Sequence, residues 1–232
     1  VLEHPARGRA DRILDAAGHL LGRLGYRKVT IEDIARQAGI GKGTIYLHWR
    51  TKDLLFEALM LRESADLVEE LFDRIREDPA EIIPHRFLRA TYLAGLRKPV
   101  IAALMTGDTD LLGKLHDHPL RGQDLLATQR YFELMHRHRL LRNDVPNLGY
   151  AMQVTSIGFY LIDAEPIEGA RLDLEARADA LAHTIRHAFE PAETPSPSAV
   201  TAIAVELTSV FEELISGYRK WIYANNPAPE PS

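Results

Sequence analysis

The chain's 232 residues, 46% hydrophobic and 26% charged, have the balance of an ordinary globular protein. That excludes global disorder, a collagen-like repeat and a membrane-embedded bundle, and the lack of any Cys excludes disulfides, thiolate metal sites, iron–sulfur clusters and cysteine nucleophiles. The net charge of −5 hides an asymmetry: residues 1–55 hold ten basic and six acidic side chains, a net of +4, and the other 177 residues carry −9, so a polyanion partner is expected for the first segment only.

Residues 9–24 read as a helix, because Ile13, Ala17, Leu20, Leu21 and Leu24 recur at spacings of three and four. Gly25 follows as its stop. Thr30 caps a second helix that ends at Ala38, with Asp33 three residues on as the second half of a capping-box-like pair. Gly39-Ile40-Gly41 makes a tight turn into a third short helix from Lys42 to about Trp49. Thr51 then caps a fourth that runs to about Glu77. Further helices are expected near 80–97, 99–115, 122–141, 147–164, 172–190 and 199–224, broken at Pro79, Pro99, Pro119–Gly122, Pro146, Pro166/Gly169 and Pro191–Ser198. No run alternates with period two. The fold expected is all-α, about ten helices, with a frayed tail from Asn225. No apolar stretch approaches the roughly 20 residues of a membrane span, and no apolar run follows the N-terminal arginines as in a signal peptide.

Thr30 to Leu54 forms a helix, a glycine turn and a second short helix, the pattern of a helix-turn-helix. Ala35 is small where the two helices cross, and Gly39 supplies the positive φ of the turn. Ile34, Ile40 and Ile45 are free to face the first helix, which leaves Lys42, Gly43, Thr44, Tyr46, Leu47 and His48 pointing outward. Such a face can enter a DNA major groove. Gly43 does not block a close backbone approach, Thr44 offers a hydroxyl and a methyl to base edges, and Tyr46 and His48 reach phosphates or bases. Lys42 sits at a helix N-terminus, where phosphates also bind.

Here the chain resembles the tetracycline-repressor-like (TetR) family of bacterial transcriptional regulators. The residues that carry the resemblance are Thr30, Ile34, Ala35, Ala38, Gly39, Ile40, Gly43, Thr44, Ile45, Tyr46, His48, Trp49, Lys52 and Leu55. Upstream, Ile13 to Ala17 and Gly25-Tyr26 match the family's first helix and its exit. The resemblance implies a three-helix DNA-binding domain over 1–52 and a helical ligand-binding and dimerisation domain over 53–232. It further implies a homodimer on a near-palindromic double-stranded operator, more often a repressor than an activator, in the bacterial cytoplasm. The family's DNA contacts carry over to Thr30 and Lys52 on phosphates and to Lys42, Thr44, Tyr46 and His48 on the recognition helix. Gly43 stands where some members carry proline or serine. The outward face holds one lysine and no arginine, so an arginine–guanine contact is not expected.

The resemblance further implies that ligand binding shifts the helix after Thr51 and releases the DNA, and a small lipophilic or amphipathic effector of unknown identity is expected to do this. Phe87, Tyr92, Met105, Tyr131, Phe132, Met135, Met152 and Phe159 suit the lining of an adaptable pocket, and equally suit plain core packing. By resemblance the dimer surface comes from 147–164 and 172–190. There Leu174, Ala178, Leu181, Ile185 and Phe189 form one stripe and Gly158 permits a close crossing, although the same stripe could face its own core. The last helix, 199–224, has a broad apolar stripe with no assigned role. His183 and His187, four apart, share a helix face, as a metal pair would, yet a third ligand is not evident. No cofactor or metal is expected. No Gly-x-Ser-x-Gly, phosphate loop or dinucleotide fingerprint occurs, so no catalytic residue is assigned. An all-α binding protein or enzyme with no DNA role is the alternative.

Overall fold

The computed structural model describes residues 5–106, 121–162 and 172–224. Among these it has ten α-helices: α1 (Pro5–Leu24), α2 (Ile31–Ala38), α3 (Lys42–His48), α4 (Lys52–Glu77), α5 (Pro84–Leu96), α6 (Pro99–Met105), α7 (Arg121–Arg137), α8 (Leu148–Leu161), α9 (Leu174–Phe189) and α10 (Pro197–Ala224). A 3-10 turn, Pro79–Ile82, precedes α5. The all-α expectation holds, and prolines open α1, α5, α6 and α10, where the missing N–H costs nothing. The expected continuation of α6 to residue 115, the break at Pro166/Gly169 and the tail from Asn225 lie outside the described residues.

The chain divides into two compact units that are each discontinuous in sequence. One comprises Val1–Ala65, Lys98–Pro119 and Ser216–Ser232, the other Asp66–Arg97 and Leu120–Ile215.

In the first unit α1 packs against α2 and α6, and α2 against α3. Ile13, Leu14, Ala17, Leu20 and Leu21 are buried, the stripe seen in the sequence. Gly25 ends α1 with φ 74°, donating its N–H to the Leu21 carbonyl at 2.9 Å. Two adjacent residues of α4 key that helix to its neighbours. Arg62 reaches α1, with 2.8 Å to the Asp15 carboxylate and 3.2 Å to the Asp11 carbonyl. Glu63, buried, accepts the N–H groups of Val100 at 2.8 Å and Ile101 at 3.2 Å, two of the three donors that the start of α6, which opens on a proline, leaves unsatisfied. Burial raises its carboxyl above the ordinary range, and these two hydrogen bonds oppose the shift.

The second unit has one core, built from α5, α7, α8, α9 and the adjoining stretches of α4 and α10. Arg89 of α5 holds α9 through Asp179 and Glu175, each at 2.7 Å. Glu190, buried just past α9, accepts the His85 backbone N–H at 2.6 Å and lies 2.9 Å from His85 Nδ1, which ties the start of α5 to the end of α9.

Candidate nucleic-acid interface

The α2–turn–α3 segment is fixed from both ends. At its start the Thr30 hydroxyl accepts the Asp33 N–H at 3.2 Å and donates to the Asp33 carboxylate at 2.6 Å. That bond, with Arg36 beside it, holds the carboxyl of Asp33 below its usual range. At the turn Gly39 has φ 67°. The N–H of Ile40 reaches the Ala35 carbonyl at 3.0 Å and that of Gly39 the Arg36 carbonyl at 3.3 Å, the paired bonds of a Schellman ending. A side chain at Gly39 would be strained by this backbone, whatever the open space around it. Ile34 and Ile45 are fully buried and Ile40 partly, so the two helices have a fixed angle and α3 has a fixed outer face.

Of the six residues expected on that outer face, five are exposed or half-buried and one, His48, is not. Gly43, Tyr46 and Leu47 are exposed, Thr44 is half-buried, and a Cβ at Gly43 would meet nothing within 4 Å. His48, expected to point outward, is 8% exposed. It stands three residues after Ile45 and so shares its inward face, with its ring tilted on Trp49 at 5.4 Å between centroids. Lys42 is exposed and bonded to Glu32 of α2. This pair lowers the Glu32 carboxyl and raises the Lys42 ammonium from their ordinary values. Lys52, at the start of α4, donates to the Tyr26 carbonyl and lies 4.1 Å from the Tyr26 ring centroid. Desolvation there lowers its pKa. Tyr26 in turn donates its hydroxyl to Asp53 and packs edge-on against Phe56 at 5.1 Å. Thr51 accepts the Leu54 N–H at 3.1 Å, so the start of α4 is braced by the aromatic that follows Gly25.

The effector candidates separate into two groups. Tyr92, Tyr131, Met135 and Met152 belong to the core of the second unit, and Phe87, Phe132 and Phe159 pack against it. Phe87 stacks on Tyr131 at 4.7 Å and Tyr92 tilts on Tyr160 at 4.8 Å. The Tyr131 hydroxyl is buried without a hydrogen-bond partner. Met105 is exposed and belongs to the first unit. A cleft of about 1100 Å³ in the second unit is lined by other residues, among them Arg139, Arg142, Arg186, His187 and Glu193.

The dimer candidates on α9 are also placed differently. Ala178, Leu181, Ile185 and Phe189 are buried in their own core, with Leu174 packed against it, because α9 lies along α5. Gly158 is exposed, and a Cβ there would meet nothing within 4 Å. What the sequence reading missed is a bare apolar row on α8: Tyr150, Val154, Ile157 and Leu161 are all exposed, at spacings of four, three and four. His183 and His187 stand 4.3 Å apart between ring centroids, but no group of three metal-ligating side chains occurs among the described residues. Among those residues, too, no helix is long and apolar enough to cross a membrane.

Comparison with known proteins agrees with this geometry. Residues 13–59 match the family model described as bacterial regulatory proteins, tetR family. The fatty acid metabolism regulator protein of Bacillus subtilis (strain 168) is 32% identical over 71 residues, which is 31% of this chain and 37% of that protein. The chain spans about a third of the length of the curated relatives it matches. Among solved structures, the fatty acid degradation regulator FadR from Bacillus halodurans superposes with a TM-score of 0.57 at 19% identity, covering 80% of this chain and 96% of that one. The TetR family protein CprB from S. coelicolor A3(2) gives 0.54 at 20% identity, covering 89% and 99%. The family model covers residues 13–59, and the likeness in fold extends over most of the chain.

Proposed function

We propose that this chain, whose residues 13–59 match the TetR family of bacterial regulatory proteins, is a ligand-responsive, DNA-binding transcriptional repressor. The observation that carries this reading is the outer face of α3, where Gly43, Tyr46 and Leu47 stand exposed on a motif locked by the Thr30 cap and the Gly39 turn. A net charge of +4 over residues 1–55 favours approach to the phosphate backbone. Tyr46, Thr44 and Lys42 meet DNA from α3, and Thr30 and Lys52 meet phosphates at the starts of α2 and α4. To do so Lys42 exchanges its bond with Glu32, or shares it. His48 acts from behind, wedging α3 against Trp49.

Two copies pair in this reading through the bare row on α8, and Gly158 on that face admits a close crossing. The effector is a small lipophile that enters among Phe87, Tyr92, Tyr131, Phe132, Met135, Met152 and Phe159. The unpartnered Tyr131 hydroxyl favours a ligand with a hydrogen-bond acceptor, since a buried hydroxyl left unpaired costs about 1–3 kcal/mol. Binding then biases a two-state equilibrium toward the form that has lost its grip on DNA.

A nuclease footprint on the promoter beside the protein's own coding sequence tests the reading. Two protected half-sites about 10 base pairs apart, or a multiple of that, and their loss on adding an active lipophile, are the expected results. No protection at any salt concentration, together with turnover of a substrate, would move the all-α enzyme alternative to the front.

A further inference from the structure

Hydrogen-bonding side chains free to distinguish base pairs are scarce on α3. The helix contains no arginine, the residue that with lysine makes the commonest specific contact, to guanine. Its one lysine, Lys42, is bonded to Glu32 and lies 5.8 Å from the centroid of the Tyr46 ring. Swinging Lys42 onto a base edge would leave the Glu32 carboxylate facing the phosphates without its counter-charge. Thr44 is half-buried and His48 is turned inward.

Leu47 is the contrary case. It is 72% exposed, the highest value among the exposed large hydrophobic side chains of the described residues. It follows Gly43 by four residues, so the two stand one above the other on the same helix row. At Gly43 the space is open. The leucine therefore projects beside bare backbone, and a base edge has clearance to come against it. In the major groove the apolar feature that a base pair presents is the C5-methyl of thymine.

Resting on the DNA-binding reading above, we infer that Leu47 is the specificity-determining residue of α3. It reads a thymine methyl in each half-site by apolar contact, and the operator carries a T·A pair at that step.

The test uses the full chain. Selection from a random duplex library supplies the preferred site. Fluorescence anisotropy then measures binding to duplexes in which each thymine of the half-site is replaced singly by deoxyuridine, which removes the methyl and nothing else. One replacement per half-site weakens binding by about fourfold, the factor that burial of one such carbon carries. Leu47→Ala binds the thymine duplex more weakly and no longer tells thymine from deoxyuridine at that step, with an unchanged melting temperature. If every deoxyuridine duplex binds as tightly as its thymine parent, or if Leu47→Ala keeps the discrimination, the inference is overturned and the regulator reading stands. If the selection enriches no sequence at all, both fall.

Discussion

Helices α3 and α9 both carry a face that their sequence marks for contact with another molecule, and the two faces have opposite fates. On α9 the stripe Leu174, Ala178, Leu181, Ile185 and Phe189 is taken up by the chain's own core. On α3 the regular apolar position, Ile45, is buried and the face left over is bare. An even stripe of aliphatic residues at helical spacing describes how a chain folds on itself. The surface proposed for a partner shows instead as residues that break the stripe, such as Gly43, where a Cβ would meet nothing within 4 Å, and the exposed Leu47. The apolar row of α8 belongs with α3 in this respect, since Tyr150, Val154, Ile157 and Leu161 stand uncovered on a helix whose other side, at Met152 and Tyr160, is buried.

The sharpest way to break this contrast is Ile185→Ala. A fully buried isoleucine truncated to alanine costs about 2–5 kcal/mol, so thermal unfolding should drop by many degrees while the mass of the folded protein in solution stays the same. A dimer that falls apart with no loss of stability would make the α9 stripe an interface after all. Next comes Tyr46→Ala, expected to weaken operator binding by about 1–3 kcal/mol with its melting temperature little moved, because the side chain is 43% exposed and lies outside the core. Lys52→Ala should weaken binding comparably and also lower the melting temperature, since it loses the Tyr26 ring and carbonyl. Equal affinity in both variants would contradict the docking proposed for α3 and α4.

Ile157→Glu sharpens the α8 half of the comparison. Sedimentation should show the mass falling from two chains to one with the helical circular dichroism retained, and an unchanged mass would remove α8 from the dimer contact. The smallest effect is expected at Glu63. Burial lifts its folded-state pKa above the ordinary glutamate value, so its contribution to stability is present in acid and is lost as the pH rises through that raised value. Glu63→Gln keeps an acceptor for Val100 and Ile101 without the charge. It should melt slightly higher than the wild type at neutral pH and converge with it below the usual carboxylate range. A variant that melts lower at neutral pH would show that the charge is favourable where it stands.

What was legible in the sequence is what short-range chemistry decides. The Thr30–Asp33 cap, the Gly25 and Gly39 stops and the proline that opens α6 each act within four residues and stand where the pattern put them, whereas α1, α5 and α10 open at Pro5, Pro84 and Pro197 and not at residues 9, 80 and 199. The rotation of α3 was harder to read. A seven-residue helix gives less than two turns of pattern, and His48 fell on the inner face by one position. Long-range partners leave no local mark: Glu32 with Lys42, Tyr26 with Lys52 and Asp53, and Glu63 with the start of α6 are joined across ten to thirty-eight residues. The outer row of α8 was obscured for a different reason. Leu148, Tyr150, Met152, Val154, Ile157, Phe159, Tyr160 and Leu161 make the helix apolar nearly all round, so periodicity does not separate the face that meets the core from the face that is bare.

The bare face of α3 is proposed to meet DNA. Fluorescence anisotropy with the full chain tests it most directly, comparing the promoter beside its own coding sequence with a scrambled duplex of the same composition at two salt concentrations. A clear preference for the promoter, affinity that falls steeply as salt rises, and weaker promoter binding by Tyr46→Ala are the expected results. Equal binding of wild type and Tyr46→Ala to both duplexes, or no binding at either salt concentration, would contradict that proposal.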